Sequence, residues 1–320
     1  MHTVFFLGAG ASAGFGFPCG SLLIEQICDD LRKETPLLKY LRDVIRVPQQ
    51  ELVGFAHMFI AAKRTTLDEF LYSRTDLIEL GRLIIGAKLI MYEDSARLSA
   101  VKDDWLTIYL NHLLEDCHNY NMADDALDAV EFYTLNYDRT VEHLIFTLLK
   151  ARYGNTCPDD RYIISDAEKR VRHLHGLLGG FSLKSSLNKR QFSNELQTSA
   201  DEFKEICSSL KFWSEMNNKA NGYDILNEQI ANADCVVFLG FGFHESILGR
   251  FSDNVFSGKK IFCSAFQITQ KQWNKILVRL GGGLPIYGDI PLNTKRVSNT
   301  TFGTNKQTSG EFMKEIVGFL

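Results

Sequence analysis

The sequence lacks closely spaced cysteine pairs, and their absence excludes two kinds of protein. Seven cysteines, an odd number, are spread over 320 residues, and none of them lie two or three positions apart. Neither a disulfide framework nor a structural zinc ribbon fits this spacing. We therefore expect scattered buried thiols in a reducing compartment and no bound metal ion.

Clusters of basic residues and long apolar runs are missing as well. The formal net charge is -4 and no cluster of Lys and Arg stands out. Because neutralising phosphates requires such clusters, we expect no direct nucleic-acid partner. No apolar stretch approaches the length of a membrane span, and no Lys or Arg precedes the short apolar run at the N-terminus. A cytoplasmic protein is expected, with no secretory signal and no membrane partner.

Short apolar runs that stop at glycine or at polar residues predict strands buried on both faces, as in a parallel sheet. Helical periodicity follows several of these runs, and strands that alternate with helices favour an α/β fold. We predict a Rossmann-like doubly wound parallel sheet. The predicted strands span residues 4–7, 130–135, 161–164, 171–175, 235–239 and 260–264. Helices are predicted around residues 225–230, 273–277 and 311–319, and exposed polar segments at residues 182–198 and 298–309.

Residues 35–126 interrupt this alternation. Apolar residues there recur at helical spacing, as with Leu67, Phe70 and Leu71, and no comparable strand signal appears between them. We interpret the whole chain, residues 1–320, as one domain in which residues 35–126 form a helical module inserted between the first and second strands.

Two glycine-rich turns follow predicted strands, at residues 8–14 and 240–242. Glycines let a backbone approach a pyrophosphate closely, and a following helix offers free N–H groups and the positive end of its dipole. The first turn has the spacing G-x-G-x-x-x-G, which differs from the usual dinucleotide fingerprint, and it lacks the Gly-Lys-Ser/Thr ending of an ATPase loop. Each turn is therefore either a phosphate or ribose site or a plain tight connection.

Polar residues mark the ends of two further predicted strands. Asn136 and Asp138 follow the second strand, where side chains point into the ligand crevice of an open parallel sheet; their alternative role is to cap the next helix. His175 follows another predicted strand, and its ordinary pKa suits general-base work. The alternatives for His175 are a structural residue or a metal pair with His173, for which no third ligand lies nearby in the sequence.

Taken together, these motifs resemble the sirtuin-like family, particularly its bacterial branch that hydrolyses NAD in anti-phage defence. His175 sits where the family's catalytic histidine is expected, and residues 66–71 resemble a helical motif of the defence branch. The other matching segments are residues 8–12 with 16–18 for the first NAD loop, residues 134–138 for the Thr-x-Asn-x-Asp motif, and residues 239–242 for the late ribose-phosphate loop.

The resemblance implies an NAD glycohydrolase that releases nicotinamide and ADP-ribose and depletes NAD as a defence effector. NAD is then the substrate, and no metal takes part. Asn136 would order the ribose and the attacking water, His175 would be the general base, and Asp138 would hold the nicotinamide carboxamide. The phosphates would be held by Gly8, Ala9, Gly10 and Ser12, and the ribose-phosphate loop would be Gly240, Phe241 and Gly242.

Two departures from protein-deacylating sirtuins favour water over an acyl-lysine as the acceptor. The chain has no paired cysteines for their four-cysteine zinc module, and Cys19-Gly20 stands where they have an acidic residue, Phe and Arg. The alternatives left open are an NAD-dependent deacylase or ADP-ribosyl transferase, and a non-catalytic nucleotide sensor. The family also implies a homo-oligomer and, in some members, a separate ATPase partner in the defence system.

Overall fold

A computed structural model of the chain describes most of its residues and positions the elements discussed below. The described residues are 1–64, 66–181, 189–215, 222–265, 268, 276, 280, 296–297, 300–302 and 306–320. Most of the helix predicted at residues 273–277 and the first part of the loop predicted at residues 182–198 lie outside them.

Short strands with buried apolar side chains form the centre of the described part of the chain. The strands are β1 (Thr3–Leu7), β2 (Val130–Thr134), β3 (Val171–His173), β4 (Gly180–Phe181), β5 (Lys189–Arg190), β6 (Cys235–Leu239), β7 (Lys260–Cys263), β8 (Arg296–Val297) and β9 (Thr300–Phe302). Seven of them form one sheet in the order β3-β2-β1-β6-β7-β9-β8, and β4 pairs with β5 separately.

The large sheet is parallel except for β8, which runs antiparallel to β9 at one edge. Counted along the chain, its six parallel strands have the order 3-2-1-4-5-6, which is the order of dinucleotide-binding sheets. The predicted fold class, a Rossmann-like doubly wound α/β fold with a helical insertion, is confirmed. Strand β9 lies within residues 298–309, which the sequence predicts to be an exposed polar segment.

Helices cover the sheet and fill the segment between β1 and β2. The α-helices are α1 (Ala9–Ala13), α2 (Gly20–Leu31), α3 (Pro36–Lys39), α4 (Gln49–Ala62), α5 (Leu67–Ser73), α6 (Ile78–Ile90), α7 (Ser95–Ala100), α8 (Trp105–Leu113), α9 (Tyr120–Leu127), α10 (Thr140–Tyr153), α11 (Asp160–Arg170), α12 (Ala200–Ser208), α13 (Tyr223–Asn232), α14 (Glu245–Leu248) and α15 (Ser309–Ile316). A π-helix spans Tyr40–Val44, and 3₁₀ turns span Thr75–Leu77, Trp213–Glu215 and Val317–Phe319.

Alternate residues of the central strands enter two separate hydrophobic cores. Phe5 of β1 belongs to the core that also contains most buried residues of helices α2 to α11, whereas Phe6 belongs to the core beneath α13 and α14. Successive side chains of a strand point to opposite faces, so both faces of the sheet are covered. This double burial explains why the strands read as continuous apolar runs.

The inserted helices pack directly on the first of these two faces. The rings of Trp105 and Tyr109, both on α8, lie 5.7 and 4.7 Å from the ring of Phe5. The Trp105 indole also donates to the carbonyl of Ala11 at 2.9 Å. The insertion therefore contributes to the main core and contacts the turn that follows β1.

One predicted strand is wrong. Residues 161–164 lie in α11, where Ile163 is buried and Asp159 caps the helix by accepting from the backbone N–H of Arg161. A short apolar run cannot by itself distinguish a buried strand from a buried helix segment, and the cap here decides for the helix. Across the residues described, we find no helix long and apolar enough to cross a membrane.

A buried ion cluster joins the insertion to the start of α10. The carboxylate of Glu93, in the insertion, pairs with Arg139 at 2.5 Å and with Arg190, and these three side chains are at most 1% exposed. Burial alone would raise the pKa of Glu93, but the attraction of Arg139 and Arg190 holds it below its ordinary value. Arg139 also donates to the backbone carbonyls of Gly180, Arg190 and Gln191.

Glu93→Gln is therefore expected to lower the free energy of unfolding by about 3–5 kcal/mol, because it leaves two buried guanidinium groups without their counter-charge. Urea unfolding measures the loss. Asp43→Ala is the matched control, since it breaks an ion pair with Arg42 on the exposed surface and should change the stability little. Equal effects of the two variants would contradict the role assigned to the cluster.

Candidate functional site

The four motifs singled out in the sequence follow four neighbouring strands of the sheet. Gly8 follows β1, Asn136 lies beyond β2, His175 beyond β3, and Gly240 follows β6. Because these strands are parallel, their carboxyl ends share one edge of the sheet. The chain also changes direction across the sheet between β1 and β6, and in open α/β sheets ligands bind in the crevice at such a point.

The two glycine turns pack against each other through their backbones. Gly8 N–H donates to the carbonyl of Leu239 at 3.0 Å, and Gly10 N–H donates to the carbonyl of Gly240 at 2.9 Å. A Cβ atom on Gly8 would lie 2.6 Å from the Gly240 oxygen, and one on Gly10 would lie 2.7 Å from the Gly240 Cα. Gly240 itself has a φ of 61°, which favours glycine. The contact between the two turns is therefore enough to explain why glycine stands at these positions.

Asn136, Ser12 and Asp138 form one hydrogen-bond network beside these turns. The Asn136 side-chain amide donates to the carbonyl of Gly8 at 3.1 Å and to the Ser12 hydroxyl at 3.0 Å. The Ser12 hydroxyl in turn donates to the Asp138 carboxylate at 3.0 Å. Three residues assigned to NAD from the sequence are thus brought into contact, and Ser12 is buried between the other two.

Asp138, for which the sequence left open a ligand contact or a helix cap, is buried at the start of α10. Its carboxylate accepts from the backbone N–H of Thr140 at 3.2 Å, at the first turn of α10, and it also accepts from Ser12. Burial raises the pKa of Asp138, and the hydrogen bonds from Thr140 and Ser12 oppose that rise. The residue therefore accepts one hydrogen bond from the start of α10, just before the N-cap Arg139, and another within the network.

His175 lies two residues beyond the end of β3 and is 4% exposed. Its Nε2 atom is 3.5 Å from the hydroxyl of Tyr223, and its ring centroid is 6.5 Å from that of Tyr137. Burial lowers the pKa of His175 to about 3, with a smaller contribution from Arg250. The imidazole is therefore neutral at physiological pH, which is the protonation state that a general base requires.

His173 is held in a different way from His175, and the two do not form the metal pair considered from the sequence. Both ring nitrogens of His173 are in use: Nδ1 is 2.8 Å from the carbonyl of Asn136, and Nε2 is 2.6 Å from the Glu142 carboxylate. Burial opposes the charge on His173, but Glu142 and the Asn136 carbonyl together raise its pKa. Among the described residues, no group of three or more His, Cys, Asp or Glu side chains is arranged to hold a metal ion.

Sequence reasoning did not single out several residues that complete the site. Ser264, after β7, accepts from the Gly240 N–H at 2.8 Å through its hydroxyl. Tyr137 donates to the carbonyl of Lys211 at 3.1 Å. Ser264 is the last residue of a predicted strand and Asn136 directly follows one, so the position of Ser264 is a usable signal. Tyr137 lies within the motif at residues 134–138, but no sequence signal indicates its contact, because Lys211 is 74 positions away along the chain.

The comparisons with known proteins give no family for this chain. No family model and no curated protein matches the sequence. The interpretation of the site therefore depends on the geometry of these residues and on the resemblance of their motifs.

Gly240→Ala should disrupt the site and destabilise the fold. The new Cβ would overlap the backbone nitrogen of Ala11, and a left-handed conformation costs a non-glycine residue about 1–3 kcal/mol on its own. Gly54→Ala is the control, since the Cβ it adds within α4 meets no atom within 4 Å and a helical alanine is favoured by about 0.5–1 kcal/mol. Urea unfolding measures the free energy of unfolding of both variants. Equal values for Gly240→Ala and Gly54→Ala would show that the fold does not need the close contact between the two turns.

Proposed function

We propose that this chain is an NAD hydrolase, which breaks the bond between nicotinamide and ribose and releases nicotinamide and ADP-ribose. The observation that carries the proposal is the contact network of Asn136, Ser12 and Asp138 with the Gly8 turn, at the switch point of a sheet with dinucleotide-binding strand order. These are the residues to which the sirtuin-like resemblance gives roles in NAD cleavage.

The chemistry of NAD cleavage suits a site built in this way. Nicotinamide leaves as a neutral molecule from a cationic ring, and positive charge develops on the ribose. The protein has to orient the ribose and the water and to stabilise that charge. We assign the orientation to Asn136 and the contact with the nicotinamide carboxamide to Asp138, whose carboxylate also adds negative charge near the reacting ribose.

The buried imidazole of His175 is assigned the role of the base that activates water. It is neutral at physiological pH, but a pKa of about 3 makes it a weak base, whereas efficient general bases have a pKa near the working pH. A ribosyl cation is a reactive electrophile, so a weak base suffices in this assignment. Because burial makes His175 a weak base, it also favours the second candidate function, a nucleotide sensor that binds the dinucleotide without cleaving it.

His175→Ala is expected to lower NAD cleavage by on the order of a hundredfold to ten-thousandfold, the typical loss of a positioned general base. Asn136→Ala is expected to lower it by on the order of a hundredfold or more, because the ribose and the water are no longer oriented. Release of nicotinamide from NAD, measured by chromatography, is the assay. Free ADP-ribose identifies hydrolysis, and a modified protein identifies deacylation or ADP-ribosyl transfer instead.

The matched controls are exposed residues of the same types, Asn155→Ala and His57→Ala, which should retain wild-type turnover. Urea unfolding of all four variants separates lost chemistry from lost folding, because Asn136 also holds the Gly8 carbonyl. Near wild-type turnover of either site variant would show that its assignment is wrong. A wild-type protein that binds NAD and releases no nicotinamide would favour the sensor.

Assembly is the second part of this proposal. An NAD hydrolase that worked freely would drain its own cell, and residues 35–126 provide helices beyond the nucleotide-binding core. We propose that a homo-oligomer, or a separate partner such as an ATPase of a defence system, controls the crevice; closed symmetric assemblies are the usual form of homo-oligomers.

The specific activity is therefore expected to change with protein concentration or with an added activator. Light scattering combined with NAD turnover across a dilution series measures both quantities on the same samples. A monomer with constant specific activity at every concentration, unaffected by a partner, would contradict the proposal.

A further inference from the structure

Residues 209–215, which follow α12, run across the carboxyl edge of the sheet, and we call this segment the strap. Its first half is bonded to the loop after β3: the Lys211 N–H donates to the carbonyl of His175 at 2.8 Å. Tyr137, after β2, donates to the carbonyl of Lys211 at 3.1 Å. The strap therefore touches the two loops that carry His175 and Asn136.

The loop after β3 has the shape that this contact requires. Gly176 has a φ of 81°, and a Cβ on it would overlap the carbonyl oxygen of Ser209. The hydroxyl of Ser209 donates to the carbonyl of Leu177. Glycine next to His175 thus lets the strap lie directly against the loop that holds the proposed base.

The second half of the strap reaches the loop after β6. The ring of Trp213 lies 5.9 Å from the ring of His244 in an edge-on arrangement. Trp213 is partly buried, whereas His244 is exposed. The strap therefore extends from the loop after β3, where Lys211 bonds His175, to the loop after β6, where Trp213 meets His244.

Two helices of the insertion, α5 and α6, bind the strap through polar contacts. The backbone N–H of Trp213 donates to the Asp68 carboxylate, on α5, at 3.2 Å. Arg82, on α6, donates to the carbonyl of Leu210 at 2.9 Å and pairs with Glu215. Burial raises the pKa of Asp68 to about 6, partly offset by the Trp213 hydrogen bond, so its carboxylate is ionised at neutral pH. Hydrogen bonds to an ionised acceptor are the stronger kind.

We propose that Trp213 forms one wall of the nucleotide crevice and that Asp68 is the positioning residue that fixes this wall. The inference rests on the proposed function only in requiring that the crevice binds the ADP-ribose part of a nucleotide. A planar indole at the crevice edge suits contact with a base or ribose face. Asp68 lies within residues 66–71, and this contact gives that segment a physical role. Any movement of α5, by a partner or a second protomer, then changes the crevice through one hydrogen bond.

The test compares Asp68→Ala with Asp68→Asn, which retains an acceptor oxygen, and with Glu69→Ala, which removes the neighbouring acid in the first turn of α5. Calorimetry with ADP-ribose measures the Kd without any catalysis. Asp68→Ala should raise the Kd by up to about tenfold, because ADP-ribose must then order a strap that this hydrogen bond, which contributes on the order of that factor, no longer holds in place. Glu69→Ala should stay within about threefold of wild type, and Asp68→Asn, which keeps an acceptor but loses the charge, should fall between Asp68→Ala and wild type.

Hydrogen exchange and two further variants extend the test to the strap itself. Faster exchange of a peptide covering residues 209–215 is expected in Asp68→Ala and not in Glu69→Ala. Trp213→Ala should weaken ADP-ribose binding about tenfold, the loss of one ring contact of about 1.4 kcal/mol, while Trp213→Phe retains most of it. With NAD, the loss should appear in KM and leave kcat largely unchanged.

Three outcomes overturn the proposal: an unchanged Kd in Trp213→Ala, equal effects of Asp68→Ala and Glu69→Ala, or no binding of ADP-ribose to the wild-type protein. If Asp68→Ala does not fold, the Kd values of Trp213→Ala and Trp213→Phe test the proposal, and equal values overturn it. A protein that binds ADP-ribose through Trp213 but releases no nicotinamide from NAD overturns the hydrolase proposal and leaves the strap proposal standing.

Discussion

The backbone contact between the turns after β1 and β6 determines the rest of the site. Gly10 N–H donates to the Gly240 carbonyl, and neither Gly8 nor Gly10 has room for a Cβ. This contact fixes where α1 begins and therefore where Ser12 lies. Ser12 then bridges Asn136 and Asp138, which arrive from the neighbouring strand. Residues from three strand ends thus hold fixed positions because two glycine turns touch.

The central strands of the fold could be predicted from the sequence, because both faces of the sheet are buried and its strands read as continuous apolar runs. The strand prediction failed at residues 161–164. A run of four residues is too short to show either a strand or a helix period, and the cap at Asp159 starts a helix there. For the site, polar residues at strand ends predicted that Asn136 and Asp138 belong to one crevice. The strap could not be predicted, because Trp213 meets Asp68 and His244 at positions distant in sequence, and no local pattern marks residues 209–215 themselves.

The helices between β1 and β2 do more than cover one face of the sheet. Trp105 bonds the turn after β1, Glu93 binds Arg139 directly after Asp138, and Asp68 holds the strap. The first two contacts end in or directly beside a motif that the sequence marked, and the third ends on the strap. The packing of these helices is thus joined to the loops of the site by a few polar contacts, which are directional and short-ranged, as well as by the apolar core.

Two buried charged systems flank the central network, and their net charges differ. Glu93 with Arg139 and Arg190 carries one excess positive charge, satisfied by backbone carbonyls, and it lies next to Asp138 in the chain. The His173–Glu142 pair is neutral overall when His173 is protonated, and it fixes the Asn136 carbonyl. Moving buried charges apart costs several kcal/mol, so these groups resist rearrangement. A site fixed in this way meets the requirement of the proposed reaction, which is to orient a substrate and a water molecule.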